Sequence, residues 1–290
     1  MFDHIAFPTP YQTLDLPAPV QLTVKRLDQI HPHISGNKFF KLKYNLLAAQ
    51  QQGCSKILTF GGAFSNHIAA TAYAAQRFGF QSIGIIRGDE LASQVLNPTL
   101  QTAHDFGMQL HFVSRAEYRL RHEAAYLQQL QQQYPQAFIV PEGGTNALAL
   151  QGSQEILSAH DRENHDVICC AVGTGGTIAG LIESSSDRQH VLGFSALKGD
   201  FLQQDIQQWT DKKNWSLTDA YCSGGYAKTS PALLQFMQQF EQQYAIPLEQ
   251  VYTAKMMMGL FDLIQQQHFP ENTRILAIHT GGLQGKLKTY

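Results

Sequence analysis

The strongest constraint in this chain is an alternation repeated along most of its length. Short apolar runs at 57–60, 82–86, 109–113, 137–140, 167–172, 191–194 and 274–279 have the length and composition of buried strands. Between them lie segments with helical spacing, at about 37–53, 65–78, 96–106, 115–134, 147–158, from 177 onward, 231–244 and 253–267. A helix between successive strands carries the chain back to start the next strand in the same direction. Parallel sheets made this way are apolar on both faces and need helices on both. The expected fold class is therefore α/β, with open twisted, mostly parallel sheets flanked by helices. The segment up to about residue 34 is proline-rich and irregular apart from a strand-like piece at 20–25. No repeat of fixed period is present.

Several function classes fall away on composition. With 290 residues, 43% of them hydrophobic, the chain can build a core and has length for two domains or one large one. A net charge of −2 gives no broad basic surface for nucleic acid or an anionic membrane. No apolar run approaches the ~20 residues that span a bilayer. Met1-Phe2-Asp3-His4-Ile5 does not read as a secretory leader, so a cytoplasmic protein is expected. Cys54, Cys169, Cys170 and Cys222 form no C-x-x-C pair and read as small hydrophobes in a reducing compartment. The histidines have no ligand spacing, so no metal is expected, and no G-x-S-x-G elbow suggests a hydrolase. The glutamine runs at 50–52, 131–133 and 265–267 read as solvated helix faces.

In open α/β sheets ligands bind beyond the carboxyl ends of the strands. Four such places hold unusual residues. Gly173-Thr174-Gly175-Gly176-Thr177 links a strand to a helix and has the makings of a phosphate cup, with small residues before a helix N-terminus. Ile178 stands where a dinucleotide fold wants glycine, and no Walker lysine follows Gly176, so a single phosphate ester fits better than a nucleotide. Gly61-Gly62 precedes Ser65-Asn66-His67 in the same geometry. Lys38, in Ser35-Gly36-Asn37-Lys38, is electrostatically misplaced at a helix start. Lys41 and Lys43 read as ordinary solvated residues. Finally, His279-Thr280-Gly281-Gly282 follows the last strand, and Tyr252-Thr253-Ala254-Lys255 opens an earlier helix. At each place plain capping or turn formation is the alternative reading.

In order, these motifs resemble the pyridoxal-phosphate (PLP) enzymes of the tryptophan-synthase-β-like fold. Within them they resemble the 1-aminocyclopropane-1-carboxylate (ACC) deaminase / D-cysteine desulfhydrase family. The resemblance spans nearly the whole chain, through Val24-Lys25-Arg26-Leu27-Asp28, Gly36-Asn37-Lys38 with Lys41-Leu42, Gly61-Gly62 with Ser65-Asn66-His67, Pro141-Glu142-Gly143-Gly144-Thr145-Asn146, Gly175-Gly176-Thr177, Val251-Tyr252-Thr253-Ala254-Lys255 and His279-Thr280-Gly281-Gly282. It implies that Lys38 holds PLP as a Schiff base and that Gly173, Thr174, Gly175, Gly176 and Thr177 bind its phosphate. It implies that Asn66 meets the ring hydroxyl, that Thr253 stands near the ring nitrogen, and that Thr280 meets that nitrogen. Ser65 would contact the substrate carboxylate or move a proton, and Tyr226 and Tyr252 match the family's two active-site tyrosines.

ACC deaminases resembling this chain carry Glu where Thr253 stands. A hydroxyl holds the ring-nitrogen proton less well, which favours elimination of a thiol from a D-cysteine-like substrate over cyclopropane opening. Phe64 replaces a common Gln, and Ile68-Ala69 replace Thr-Arg, so the pocket is less polar than the family norm. The expected activity is a deaminating α,β-elimination on a small amino acid to keto acid, ammonia and sulfide. The alternatives are ACC deamination, a non-catalytic ligand-binding protein on the same fold, and, more weakly, a nucleotide-binding Rossmann protein. The resemblance further implies a homodimer. It also implies a large PLP-binding domain from 1–40 and 141–290 with a small domain, 41–140, inserted in it.

Overall fold

The computed structural model describes residues 1–199 and 201–287, so Asp200 and the last three residues of the expected large domain lie outside the described residues. The chain opens with β1 (Tyr11–Leu14) and β2 (Gln21–Lys25), then α1 (Asn37–Gln51), β3 (Lys56–Gly61) and α2 (Asn66–Arg77). Next come β4 (Gln81–Arg87), α3 (Pro98–Asp105), β5 (Met108–Val113), α4 (Arg115–Arg119), α5 (Ala124–Gln133) and β6 (Ala137–Val140). After α6 (Ala147–Gln154) and α7 (Ala159–Asn164) follow β7 (Val167–Val172), α8 (Gly176–Ser184), β8 (His190–Ser195), α9 (Phe201–Gln207) and β9 (Trp215–Thr218). The described chain closes with α10 (Pro231–Tyr244), α11 (Thr253–Gln265) and β10 (Arg274–Ile278).

The strands form two sheets. One has the order β5-β4-β3-β6 and is parallel throughout. The other has the order β1-β2-β10-β7-β8-β9 and is parallel except for the edge pair β1–β2. Both agree with the α/β expectation, and the physical reason is visible in β7. Every residue of that strand but Val167 is buried, and Cys169 pairs with Ala277 on one side and Leu192 on the other. Burial pushes the Cys169 thiol pKa up, so it behaves as a small apolar group. All four cysteines are free thiols. The glutamine runs are exposed, as expected.

Four elements departed from the sequence reading. The helix expected over 115–134 is interrupted: α4 gives way to a single 3-10 turn, Leu120–His122, before α5 begins. The opening segment holds a second strand, β1, and both α9 and β9 lie in a stretch with no clear period. Short edge pieces bury little and leave little pattern.

The chain falls into two compact units, Met1–Ala6 with His31–Gly152, and Phe7–Ile30 with Ser153–Tyr290. The expected cuts at 40/41 and 140/141 differ from these boundaries for a packing reason. Cutting at 40 would split α1, whose Phe39, Phe40, Leu42 and Leu46 are all buried. Phe2 ties the N-terminus to that helix through an edge contact with the Phe39 ring at 5.1 Å. Residues 141–146 are tied to it too, by Lys41 and Asn45. Lys38 therefore belongs to the smaller unit.

Candidate active site

In the smaller unit the residues singled out from the sequence lie at helix starts. Lys38 is the second residue of α1, whose N-cap is Gly36 with φ of 66° and no side-chain cap. The left-handed conformation there is one that glycine adopts without strain. A cation at this end opposes the helix dipole. Lys38 retains partial exposure, yet enough protein surrounds it that burial lowers its pKa from the usual 10.5 to about 8. Among the described residues no hydrogen bond or ion pair holds its ammonium.

Lys41, one turn further on, is the opposite case and corrects the solvated reading. It is 1% exposed, and its Nζ donates to the Gly143 carbonyl and the Thr145 hydroxyl, both at 2.8 Å. Lys43 is also largely covered and pairs with Asp3 at 2.9 Å.

Ser65 is the N-cap of α2 and accepts a hydrogen bond from the Ile68 N–H at 3.4 Å; Asn66 begins the helix, and both remain partly exposed. The glycine before them is required by space, because a Cβ on Gly61 would lie 2.4 Å from Ile68 Cγ1 and 2.8 Å from Ser65 Oγ. His67 is 1% exposed. Thr59 donates its hydroxyl to the Val140 carbonyl at 2.8 Å, so the same oxygen accepts from His67 Nε2–H at 2.7 Å. That leaves Nδ1 unprotonated, buried and without a hydrogen-bond partner. Burial first, then the charges of Lys38 and Lys41, holds the imidazole neutral well below its usual pKa.

In the larger unit the glycine loop closes on a tyrosine. A Cβ on Gly173 would meet Tyr252 Cε1 at 2.9 Å and its hydroxyl at 3.2 Å. Gly175, at φ of 77°, is the N-cap of α8; no side chain caps this helix and no acid sits in its first turn. Gly176 and Thr177 are buried at its start, and Thr174 is exposed. The result is a cradle of small residues around a helix N-terminus, suited to an anion.

Tyr252 precedes α11. The buried carboxylate of Glu249 accepts from the backbone N–H of Val251 at 2.7 Å, Tyr252 at 2.8 Å and Thr253 at 2.6 Å. Burial raises the Glu249 pKa and these bonds oppose the rise. Thr253 is fully buried, and its hydroxyl accepts from the Glu249 N–H at 3.0 Å and lies 3.3 Å from Glu249 Oε1. The fold thus joins this hydroxyl to Glu249 within the helix cap. Tyr226 is 48% exposed, with its ring 6.1 Å from that of Tyr252. Thr280 is 7% exposed just past β10, after His279, whose Nε2–H donates to the Pro247 carbonyl at 2.8 Å.

Each unit thus carries one distinctive feature: a lysine of lowered pKa in the smaller, and in the larger a glycine cradle at a helix start with no side-chain cap. A family model described as "Pyridoxal-phosphate dependent enzyme" matches residues 3–281. The chain belongs to that family. Its relatives include a Thermotoga maritima protein provisionally named 1-aminocyclopropane-1-carboxylate deaminase, 30% identical over 90% of this chain and 88% of that one. Another is the Arabidopsis thaliana mitochondrial bifunctional D-cysteine desulfhydrase/1-aminocyclopropane-1-carboxylate deaminase, 28% identical over 96% of this chain and 77% of the relative. A crystal structure of an ACC deaminase homologue superposes with a TM-score of 0.84 at 25% identity, covering 97% of this chain and 91% of that one. The fold is accordingly the PLP fold expected from the motifs, and the chain is a PLP-dependent enzyme.

The residues singled out in this PLP enzyme's sequence fall into both units. Lys38, Ser65 and Asn66 lie in the smaller, and Gly173 to Thr177, Tyr226, Tyr252, Thr253 and Thr280 in the larger. Three supporting residues had been given no role: His67, Glu249 and Lys255. Glu249 had a readable signal, an acid four residues before Thr253 at a helix start. Lys255 had none. Among the described residues, no group of His, Cys, Asp or Glu is placed to hold a metal, and no helix is long and apolar enough to cross a membrane.

Proposed function

We propose that this enzyme catalyses a deaminating α,β-elimination on a small, D-cysteine-like amino acid, yielding a keto acid, ammonia and sulfide. The observation that carries the reading is Lys38, a partly buried lysine without a partner whose pKa falls to about 8. Bound PLP supplies an electron sink for the pair left when a bond at the amino acid's α-carbon breaks. Lys38 is the residue that would hold the cofactor, and its amine, about half neutral near pH 8, would take and return the α-proton. Gly173 to Thr177 would hold the phosphate on backbone N–H groups. Asn66 and Thr280 would meet the ring's hydroxyl and nitrogen. Ser65 would receive the substrate carboxylate at the start of α2, and Tyr252 and Tyr226 would give or hold a proton on the leaving group. In this reading the enzyme works as a cytoplasmic homodimer.

ACC deamination is the second reading, favoured by the names of the relatives. The choice of a thiol substrate rests on Thr253, which offers no carboxylate beside Tyr252 and spends its hydroxyl on Glu249. The test is keto-acid release by the purified enzyme from D- and L-cysteine, D- and L-serine, β-chloroalanine and ACC, with Lys38→Ala as the blank. Release from D-cysteine above all others is expected. Release from ACC alone selects the second reading. A PLP-loaded protein that turns over none of them points to a non-catalytic ligand-binding protein, and a colourless protein that cannot be loaded with PLP overturns the cofactor assignment.

A further inference from the structure

We propose that Lys255 is a positioning residue that fixes Tyr226 by gripping the backbone of the turn that carries it. Lys255 is 2% exposed on α11, and its Nζ donates to the Cys222 and Gly225 carbonyls, each at 2.8 Å. Those carbonyls are also the acceptors of the turn itself. Gly225 N–H donates to Cys222 O at 3.0 Å, and Lys228 N–H donates to Gly225 O at 3.2 Å. One ammonium therefore ties the two hinge points of a double turn, immediately before and beneath Tyr226.

The turn needs such a tie. Ser223, Gly224, Gly225 and Ala227 have φ of 52°, 85°, 126° and 55°. For Ser223 and Ala227 this left-handed region is a strained one. Tyr226 itself is half exposed, and its described ring contact is the edge of Tyr252. Little side-chain packing holds the tyrosine, so its place is set by its backbone.

Lys255 also lies three residues after Tyr252, the N-cap of α11. The first turn of α11 thereby presents both phenols: Tyr252 directly, on the cap made by Glu249, and Tyr226 through the ammonium. Packing stability alone does not explain a buried cation facing carbonyls, since an apolar side chain of similar length fills the same space without desolvating a charge. Burial depresses the Lys255 pKa, while Cys222 and Glu249 work against the depression.

The inference rests on the reading that Tyr226 acts in the reaction, and the experiment separates the two. Holoenzyme with Lys255→Met, Tyr226→Phe or both is assayed for kcat and KM, and amide hydrogen exchange is followed over 223–228. Lys255→Met is expected to lower kcat by about 10–100-fold with KM little changed, to speed exchange in the turn, and to add no further loss in the Tyr226→Phe background. Lys255→Gln keeps a neutral amide NH2 that can still donate and is expected to recover part of kcat; it carries the test if the Met variant does not fold. Losses that multiply in the double variant overturn the positioning role, as does unchanged exchange in the turn. If Tyr226→Phe keeps full turnover, the reading of Tyr226 fails, and the exchange result alone decides whether Lys255 holds the turn.

Discussion

Gly173→Ala is the sharpest test of the cradle. The new methyl would lie 2.9 Å from Tyr252 Cε1, 3.2 Å from its hydroxyl oxygen and 3.4 Å from Cζ. Carbon atoms in ordinary contact sit ~3.5–4.0 Å apart, so the ring must retreat by roughly 0.6–1 Å. The backbone cannot follow easily, because the Tyr252 N–H is held by Glu249 at 2.8 Å. Overpacking of this kind costs about 1–3 kcal/mol, and a shift of about 1 Å at a reacting group costs on the order of 100-fold in rate. The assay is keto-acid release with saturating PLP, alongside thermal unfolding of the loaded protein. The expected result is a kcat lowered by about two orders of magnitude, with only a modest loss of melting temperature. Gly285→Ala is the control, since a methyl there meets nothing within 4 Å. Wild-type turnover and PLP retention in Gly173→Ala would refute the claim that the glycine is there to admit Tyr252.

Four further outcomes are expected. Labelling of cofactor-free protein with an amine reagent should show Lys38 half-reactive near pH 8, with ordinary lysines remaining protonated there; a midpoint near 10.5 would contradict the burial argument. With that lowered pKa the native chain binds fewer protons than the unfolded one between about 8 and 10.5, so Lys38 makes the cofactor-free fold more stable as pH rises through that window, and Lys38→Met should flatten the rise in a urea-melt series. Thr253→Glu would set a second carboxylate beside the buried Glu249, and we expect a lower melting temperature before any gain in ACC turnover; an unchanged melting temperature counts against the crowding seen here. At Asp161 burial raises the pKa, but the charge and 2.5 Å hydrogen bond of Lys25 prevail and hold it below its usual 3.8. That contribution is present above the usual value and is lost as pH falls through the lower native one. Asp161→Asn should cost about 3–5 kcal/mol by leaving a buried ammonium without its charge partner, measured by urea unfolding at neutral pH.

What could be read in advance was whatever depends on local pattern. Continuous apolar runs such as 167–172 can be little but buried parallel strands, and paired glycines at their carboxyl ends mark where backbone must come close to something. Those features drew attention to Ser65, Asn66 and the 173–177 loop, and a misplaced charge at a helix start drew it to Lys38, without any tertiary information. Lys41 shows where such reading stops: beside Lys38 in sequence it looks equally solvated, and only the return of residues 143–145 to α1 supplies the carbonyl and hydroxyl that bury it. His67 took its bare Nδ1 from Thr59 and Val140, and Lys255 took its role from a turn some thirty residues earlier in the chain. Sequence alone determined the α/β class and the order of the motifs, because strand and helix periodicity and glycine geometry are local properties; the cofactor came through the resemblance of those ordered motifs to a PLP family. Tertiary structure decided which buried charges are partnered, which hydroxyls are already spent and which unit each residue belongs to, because a hydrogen bond links atoms near in space whatever their separation along the chain.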